Sequence, residues 1–234
     1  MKDNIKISII IPCYNEEKTL NQIIEKVLKF KTYDKEIIIV DDCSSDNTQN
    51  IINELKKNHS EIQSIRHEKN YGKGESLKTG IKASNGNIIL FQDADLEYNP
   101  EDYNNLLSPI INADAEVVYG SRFLGGNYVR LHFFWHHVAN KLLTTLCNIL
   151  NNLNMTDMET GYKLFKSETI KSIKLNEKSF GIEPEITMKL ARKKSIFYEV
   201  PISYSGRSYE EGKKITIKDA FIAVYCIIKY KFFN

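Results

Sequence analysis

The chain has 234 residues, 42% of them hydrophobic and 26% charged, a composition typical of a soluble globular protein and unlike that of a disordered, collagen-like or multi-span membrane chain. Such a length suits one fairly large domain or two small ones. The 32 basic and 30 acidic residues leave a net charge of +2, which gives no reason to expect nucleic acid as a partner.

The apolar runs are too short for a targeting or membrane-spanning segment. Residues 7–11 are too few for the core of a signal peptide, and residues 220–228 fill about half of the ~20 positions that a bilayer requires. We therefore expect a chain that does not cross a membrane. The four cysteines, at positions 13, 43, 147 and 226, stand far apart, which predicts reduced, buried thiols in a cytoplasmic protein.

The first half alternates short β-branched runs with helix-length amphipathic segments, which is typical of βαβ units. The predicted strands are residues 5–11, 36–40, 61–66, 87–92 and 116–119. The predicted helices are residues 16–30 and 46–58, a third after Gly72 and a fourth beside Pro100. This order predicts an α/β fold with a Rossmann-like, doubly wound, mostly parallel sheet, whose ligands bind at the carboxyl ends of the strands.

The second half differs in charge, because residues 121–156 contain no acid. A long helix is predicted over residues 131–153, with one apolar stripe formed by Leu131, Trp135, Val138, Leu142, Leu146, Ile149 and Leu153. Strands are expected at residues 161–165 and 195–204, flanking a helix that begins near Pro184. A basic amphipathic helix over residues 216–233 closes the chain.

The fourth predicted strand runs into three acids, Asp93, Asp95 and Glu97. Residues two apart on an extended segment project to the same side, so these carboxylates can converge on a hard divalent cation, Mg²⁺ or Mn²⁺. Such a cation would bridge a diphosphate. The alternative is a solvated loop that caps the helix beginning near Pro100.

Acids also follow the first two strands, at Glu16 and Asp42. Three strand ends thus bring negative charge to one rim of the sheet, which is costly unless cations or hydrogen-bond donors lie there. Carboxylates at this rim suit the base or ribose of a nucleoside. We expect Asp46 to cap the following helix instead.

Eight ordered motifs resemble those of glycosyltransferase family 2 and, within it, of the polyprenyl-phosphate hexosyltransferases, the group that contains dolichyl-phosphate mannose synthase. They are IPCYNEE (11–17), VDDCSSDNT (40–48), NYGKG (70–74), QDADLEYNP (92–100), GSRF (120–123), TDMETGYKLF (156–165), FGIEPEI (180–186) and EVPISYSGRSYEEGKKI (199–215). The resemblance implies a single GT-A domain over residues 1–234. Within it, residues 1–120 would form the nucleotide-sugar half, residues 121–214 the acceptor side and residues 215–234 an amphipathic terminal helix.

The resemblance also implies roles for individual residues. The nucleotide sugar would be bound by Pro12, Tyr14, Glu16, Val40, Asp42, Asp93, Ala94 and Asp95. Asp95 and Glu97 would hold the metal, with Asp93 sharing the site. Phosphates and the acceptor would be bound by Arg122, Arg130, Arg207, Lys213 and Lys214, and catalysis would depend on Asp93, Asp95, Arg122 and Arg207.

The use of arginine supports this assignment. Only five of the 32 basic residues are arginines, and three of these five, Arg122, Arg130 and Arg207, fall in or beside the motifs. Planar, bidentate phosphate recognition requires arginine rather than lysine. The other two, Arg66 and Arg192, are expected at the surface. The turn at residues 72–74 could bind phosphate through its amides, although a tight strand-to-helix turn is the simpler interpretation.

These features predict an inverting hexosyltransferase that carries mannose or glucose from a GDP- or UDP-linked donor to dolichyl or undecaprenyl phosphate. Alternatives are a family member with a saccharide or protein hydroxyl as acceptor and a non-catalytic nucleotide-sugar-binding regulator. Asp157 and Glu159 lie where other family members place a base, but a phosphate acceptor needs none.

A lipid acceptor requires a surface that faces the membrane. Candidates are the aromatic residues 133–135 and the terminal helix, with Lys218, Lys229 and Lys231 beside Phe221, Tyr225, Ile228, Phe232 and Phe233. Alternatively, both helices only cover the sheet. Because the chain stops at Asn234, where many relatives continue into transmembrane helices, we expect a cytoplasmic enzyme, peripheral at the membrane's cytoplasmic face or docked on a separate membrane subunit.

Overall fold

A computed structural model describes residues 5–125, 130, 134–207 and 217–233. In these ranges seven strands form one sheet: β1 (Lys6–Cys13), β2 (Asp34–Asp41), β3 (Ile62–Arg66), β4 (Ile88–Phe91), β5 (Val117–Ser121), β6 (Lys163–Lys166) and β7 (Phe197–Pro201). The helices are α1 (Leu20–Lys29), α2 (Thr48–Asn58), α3 (Lys73–Ala83), α4 (Tyr103–Asn112), α5 (Phe134–Asn151), α6 (Ser167–Lys171), α7 (Ile182–Arg192) and α8 (Ile217–Phe232). A 3₁₀ turn, Pro100–Asp102, precedes α4.

The strand order is β3-β2-β1-β4-β6-β5-β7. All pairings are parallel except those of β6, which runs antiparallel to β4 and β5. The predicted mostly parallel sheet is therefore confirmed. The short helix α6 was not expected from the sequence, because five residues carry too little periodicity to predict a helix.

The central strands are apolar on both faces because helices cover both sides of the sheet. Along β1, Ile9 and Ile11 pack in the core beneath α1 and α4, whereas Ile10 packs with residues of α3, α5, α7 and α8. β2 divides its residues in the same way: Ile37 and Ile39 lie on the first side, Ile38 and Val40 on the second. This two-residue alternation puts the two cores on opposite faces of one sheet.

The interpretation of α5 was partly wrong. Its buried residues are Leu143, Thr144 and Cys147, whereas Trp135 is 75% and Ile149 74% exposed. The helix has apolar residues on more than one side. The side that contacts α7 and α8 is buried, and Trp135 and Ile149 lie on a different side. Periodicity along one helix does not show which of two apolar stripes a neighbour will cover.

The remaining expectations concern cysteine pairing and membrane spans. All four cysteines are free; Cys13, Cys147 and Cys226 are buried, as predicted, and Cys43 is partly exposed. Within the described ranges, no helix combines the length and the hydropathy that crossing a bilayer requires.

Candidate active site

A cavity of about 700 Å³ lies at the carboxyl ends of β1, β2 and β4, bounded by α3, α5, α7 and α8. Most of the predicted site residues line it: Pro12, Tyr14, Glu16, Asp42, Asp93, Ala94, Asp95, Glu97, Arg122 and Arg207. This is the position that a doubly wound sheet gives to a ligand. Residues from both halves of the sequence thus meet in one cavity.

Arg207 connects the acids at two strand ends. Its Nη2 lies 2.7 Å from Asp95 Oδ2, and its backbone N–H donates to Glu97 Oε1 at 2.8 Å. Its Nη1 lies 3.4 Å from Glu16 Oε2. One guanidinium therefore offsets part of the negative charge of the carboxylates that follow β1 and β4.

The acids of the aspartate motif nevertheless repel one another. Burial raises the pKa of Asp95 to about 8, with help from the charges of Asp93 and Glu97 and against that of Arg207. Glu97 is further fixed by Tyr204, whose hydroxyl donates to Glu97 Oε2 at 2.5 Å. Crowding of carboxylates to this degree suits a cation.

The donor set is chemically suited to Mg²⁺ or Mn²⁺, because carboxylate oxygens are the ligands that both prefer. Among the described residues, however, no group of three or more acidic, histidine or cysteine side chains is arranged to hold a metal ion. Asp95 and Glu97 instead share Arg207. The carboxylates are therefore chemically suited to bind a cation. In this structure the guanidinium of Arg207 lies beside them.

Asp93 pairs with a lysine, whereas Asp95 and Glu97 pair with Arg207. Its Oδ1 lies 2.8 Å from Lys73 Nζ at the start of α3. Although burial lowers the pKa of Lys73, the charges of Asp93 and Glu183 raise it above its ordinary value. The NYGKG motif predicted a turn, and a lysine that binds Asp93 was not expected. The position of Lys73 within this motif was the sequence feature that pointed to a role in the site.

Arg122 lies on the cavity wall but is engaged by Asp157. Its Nε lies 2.6 Å from Asp157 Oδ2, and its Nη2 lies 2.7 Å from Oδ1. Burial opposes the ionisation of Asp157, yet the charge of Arg122 lowers the pKa of this carboxyl. A carboxylate held in a bidentate ion pair with a lowered pKa is poorly suited to act as a base.

Asp42 holds the turn before α3. Its two oxygens accept hydrogen bonds from the backbone N–H groups of Tyr71 and Gly72, at 2.9 and 2.7 Å, and Oδ1 also contacts His67 Nδ1. Residues 67–72 connect β3 to α3, and Lys73 and Gly74 already belong to the helix, so the connection is longer than the tight turn predicted at residues 72–74. Asp42 lines the cavity while serving this structural role.

Four other predicted residues lie apart from the cavity or outside the described ranges. Val40 is fully buried in the core and is not among the residues that line the cavity, and its place beside the nucleoside stays a prediction. Arg130 is exposed and donates through Nη1 to the carbonyl of Gly206. Lys213 and Lys214 lie outside the described residues.

The wall of the cavity that α5 and α8 form is partly apolar. Trp135, Ala139, Ala220 and Ala223 line it, together with the polar residues His136, His137, Asn140 and Asp219. Next to them, α5 exposes Phe134 and Leu142, and α8 exposes large apolar side chains at positions 221, 222, 225, 228 and 232, followed by Phe233. The cavity thus joins a charged end to an exposed apolar surface.

Sequence comparisons agree with this arrangement. The model of the family described as "Glycosyl transferase family 2" matches residues 8–174. The chain is 30% identical to the UDP-N-acetylglucosamine--dolichyl-phosphate N-acetylglucosaminyltransferase of Methanococcus voltae, with 96% of each chain covered. It is 29% identical to the dolichol-phosphate mannosyltransferase of Pyrococcus furiosus, over 97% of this chain and 65% of that protein.

Solved structures show the same fold. Glucosyl-3-phosphoglycerate synthase from Mycobacterium tuberculosis, in complex with UDP, matches with a TM-score of 0.73 at 18% identity, over 97% of this chain and 80% of that one. The same enzyme with Mn²⁺, UDP-glucose and phosphoglyceric acid gives a TM-score of 0.72. The fold is thus GT-A, and the chain belongs to glycosyl transferase family 2 and is a glycosyltransferase.

Proposed function

We propose that the protein is a metal-dependent, inverting transferase that moves mannose or glucose from a GDP- or UDP-linked donor to a polyprenyl phosphate. The observation that carries this proposal is the composition of the cavity. One part holds Asp95 and Arg207, and the wall formed by α5 and α8 contributes apolar residues such as Trp135 and Ala220. A nucleotide sugar and a lipid phosphate need these two environments side by side. Curated relatives named for dolichyl phosphate support the acceptor class.

The donor would lie along the carboxyl ends of the strands. Pro12, Tyr14, Glu16 and Asp42, which line the cavity, would surround the nucleoside. Asp95 and Glu97, with Asp93 beside them, would hold Mg²⁺ or Mn²⁺. When bound, that cation would stabilise the negative charge that develops on the departing diphosphate. The neighbouring structures with Mn²⁺ and UDP-glucose or Mg²⁺ and UDP support a metal-bound donor at such a site.

The transfer is a single displacement at the anomeric carbon. A phosphate oxygen of the acceptor forms the new bond to this carbon, and the bond to the diphosphate oxygen breaks, its electron pair leaving with the nucleoside diphosphate. Attack opposite the leaving group inverts the anomeric configuration. Because the acceptor is already an anion, no proton has to be removed, and Arg122 and Arg207 orient and neutralise the phosphates. Arg130, Lys213 and Lys214 would extend this phosphate site.

The exposed apolar surface of α5 and α8 supports docking at the cytoplasmic leaflet. Phe221 and Phe233 are 73% and 81% exposed, and aromatic residues favour the membrane interface. α8 also has a core face, formed by Ala223, Cys226, Ile227 and Tyr230, so the helix is both packed and exposed. The same surface could alternatively bind a separate membrane subunit.

The lysines of α8 contribute less than the sequence predicts. Lys229 Nζ lies 2.9 Å from Glu177 Oε1, and Lys231 donates to the backbone carbonyl of Leu150. Lys218 and, on α5, Lys141 are exposed. The attraction to lipid would therefore come mainly from apolar side chains.

A hydroxyl acceptor is the second candidate, and Glu159 is the observation that favours it. This residue lines the cavity, and burial raises its pKa to about 7, with Glu183 adding to the effect and Lys163 opposing it. A carboxyl with such a pKa can act as a general base towards an alcohol.

Radiolabelled transfer tests the proposal. The protein is incubated with labelled GDP-mannose or UDP-glucose, Mg²⁺ or Mn²⁺ and a short polyprenyl phosphate. We expect a labelled product that extracts into organic solvent, requires the metal, and is lost in Asp95→Asn but kept in the control Glu101→Gln, which changes an exposed acid of the same loop. Label that moves only to a water-soluble saccharide supports the second candidate, and no extractable product with any donor refutes the proposal.

A further inference from the structure

Asp157 is fully buried, and residues from three elements of the fold bind it. At the end of β5, Arg122 binds its carboxylate through Nε and Nη2. From α5, the side-chain amide of Asn140 donates to Oδ1 at 2.9 Å. From β7, Glu199 accepts a hydrogen bond from the Asp157 backbone N–H at 3.1 Å. The residue that holds Arg122 is thus itself held, on its side chain by a helix and on its backbone by a strand.

The hydrogen bonds around Asn140 define the orientation of its amide. The ionised carboxylate of Asp157 can only accept a hydrogen bond, so the amide nitrogen must face it. The amide oxygen accepts from the hydroxyl of Thr144, one helical turn further along α5, at 3.0 Å. The same hydroxyl accepts from the backbone N–H of Met158 at 3.1 Å. Asn140 and Thr144 therefore bind the segment that carries Asp157 from one face of α5.

Glu199 holds the backbone of this segment independently of α5. Its carboxylate accepts from the backbone N–H of Thr156 at 2.8 Å, in addition to that of Asp157. With the backbone held in this way, Asn140 acts on the rotation of the Asp157 side chain. That rotation decides how the two carboxylate oxygens meet Arg122.

The bidentate ion pair fixes the plane of the Arg122 guanidinium. Its two parallel hydrogen bonds use the edge formed by Nε and Nη2, so a rotation of the Asp157 carboxylate would turn the guanidinium with it. The guanidinium also lies over the ring of Tyr204, 5.2 Å from the ring centre. Because Arg122 lines the cavity, its orientation decides where it can bind a phosphate there.

A second contact joins α5 to the same region. The ring of His137 packs edge-to-face against that of Phe123, the residue after Arg122, with 4.9 Å between the ring centres. His137 and Asn140 are three residues apart, so they lie on one face of the helix. On another side, α5 exposes Trp135. The helix that would meet the lipid is therefore also the helix that binds the support of Arg122.

We propose that Asn140 is a positioning residue for the transfer: it orients the Asp157 carboxylate, which in turn orients Arg122 towards the phosphate of the acceptor. The inference rests on the proposed function, because it assumes a phosphate acceptor in this cavity. Asn140 belongs to none of the quoted motifs, and the reaction itself does not use it. It acts through Asp157, without a contact of its own to the acceptor.

Steady-state kinetics with labelled donor, Mg²⁺ and a short polyprenyl phosphate test this role. We expect Asn140→Ala to raise the KM for the polyprenyl phosphate about 3- to 10-fold, less than the full value of a hydrogen bond to a charged group, since Arg122 still binds Asp157. The KM for the nucleotide sugar should change less than about twofold, the scatter of such comparisons. An unchanged KM for the polyprenyl phosphate overturns the proposal.

The same substitution in the Arg122→Gln background distinguishes positioning from direct binding. If Asn140 acts through Arg122, Asn140→Ala should have no further effect on the acceptor KM once the arginine is absent. An equal rise in both backgrounds would mean that Asn140 binds the acceptor itself or only stabilises the fold, and it overturns the proposal.

Asn148→Ala is the matched control on the same helix. The side chain of Asn148 binds the backbone carbonyl and N–H of Met155, at 2.8 and 3.0 Å, and these bonds do not involve the Asp157 carboxylate. The same rise in acceptor KM for both alanine variants would show a merely structural role. If Asn140→Ala does not fold, Asn140→Asp replaces it, since it keeps the shape of the side chain and the acceptor for Thr144 but loses the donor to Asp157.

A measurement without substrate separates this inference from the proposed function. The chain has five arginines, so a ¹H–¹⁵N spectrum can resolve their Nε–H groups, and Arg122→Gln identifies the signal of Arg122. We expect Asn140→Ala to shift this signal and to speed its exchange with water about fivefold, whereas Asn148→Ala leaves it unchanged. An unaltered signal in Asn140→Ala overturns the inference. A parent that makes no lipid product, with the expected shift in the variant, contradicts the proposed acceptor and leaves the positioning of Arg122 intact.

Discussion

The guanidinium of Arg207 lies 2.7 Å from the carboxylate of Asp95, although 112 residues separate them in sequence. Arg207 also reaches Glu97 and Glu16, so it supplies positive charge to the carboxylates that a divalent cation would use. Arg207 and a bound cation would therefore compete for the same oxygens.

This competition predicts the effect of removing the arginine on metal affinity. Arg207→Gln should bind Mn²⁺ about tenfold more tightly than the parent in the absence of nucleotide, because charge-assisted hydrogen bonds no longer have to be broken. Isothermal titration with Mn²⁺ measures this directly. Arg192→Gln, which changes an exposed arginine, should match the parent. Unaltered or weaker Mn²⁺ binding by Arg207→Gln would show that the guanidinium does not occupy the cation position.

The raised pKa of Glu159 predicts that the free energy of unfolding depends on pH. Its folded pKa of about 7 exceeds the ordinary value of 4.5, so the folded protein keeps a proton that the unfolded chain releases between these pH values. The free energy of unfolding therefore falls as the pH rises from 4.5 to 7, by about 3 kcal/mol at most. Glu159→Gln removes this loss, so the variant should gain stability relative to the parent between pH 5 and pH 8.

Urea unfolding at the two pH values measures that difference. The control Glu168→Gln changes an exposed acid and should show no such gain. A stability difference between Glu159→Gln and the parent that is the same at pH 5 and pH 8 would mean that the Glu159 carboxyl ionises normally.

The surroundings of Gly72 and Gly125 predict that alanine lowers the stability of the protein more at Gly72 than at Gly125. Gly72 has a φ of 99°, and a Cβ there would lie 2.5 Å from the carbonyl oxygen of Lys178. Gly125 has a φ of 77° but no heavy atom within 4 Å of the added Cβ. Both alanine variants are strained, by about 1 kcal/mol or more, but only Gly72→Ala adds a clash with backbone. Thermal unfolding should show a clearly lower melting temperature for Gly72→Ala than for Gly125→Ala, and equal values would contradict the packing described.

The apolar surface of α5 and α8 predicts membrane binding. Trp135→Ser combined with Phe221→Ser should reduce sedimentation with liposomes that contain anionic lipid and polyprenyl phosphate by about tenfold or more, because two large exposed side chains no longer enter the interface. The control Ile196→Ser changes an exposed apolar residue outside both helices. Equal sedimentation of the double variant and the parent, with folding intact by circular dichroism, would exclude this surface as the membrane contact.

The sequence predicted those features of the fold and site that depend on the spacing of residues close together in the chain. Alternating apolar runs located the strands, and Asp93 and Asp95 were placed at a strand end because an acid pair directly follows a buried run. The partners of Arg122 and Arg207 depended on tertiary distances that spacing does not encode. The motifs indicated that both arginines belong to the site. They did not indicate that Arg122 pairs with Asp157 or that Arg207 pairs with Asp95. The ion pair of Lys73 and Glu183 was not predicted for the same reason, since the two residues meet only after α3 and α7 pack together.

In the proposed reaction, the phosphate of the acceptor attacks the sugar. Transfer from the labelled donor that the protein binds should therefore be compared between a polyprenyl phosphate and the polyprenol of equal length, which lacks only the phosphate. We expect labelled lipid with the phosphate and none with the alcohol, because in the proposed mechanism Arg122 and Arg207 would bind a phosphate and no base would be required. Label on the polyprenol, or on neither lipid, would contradict it.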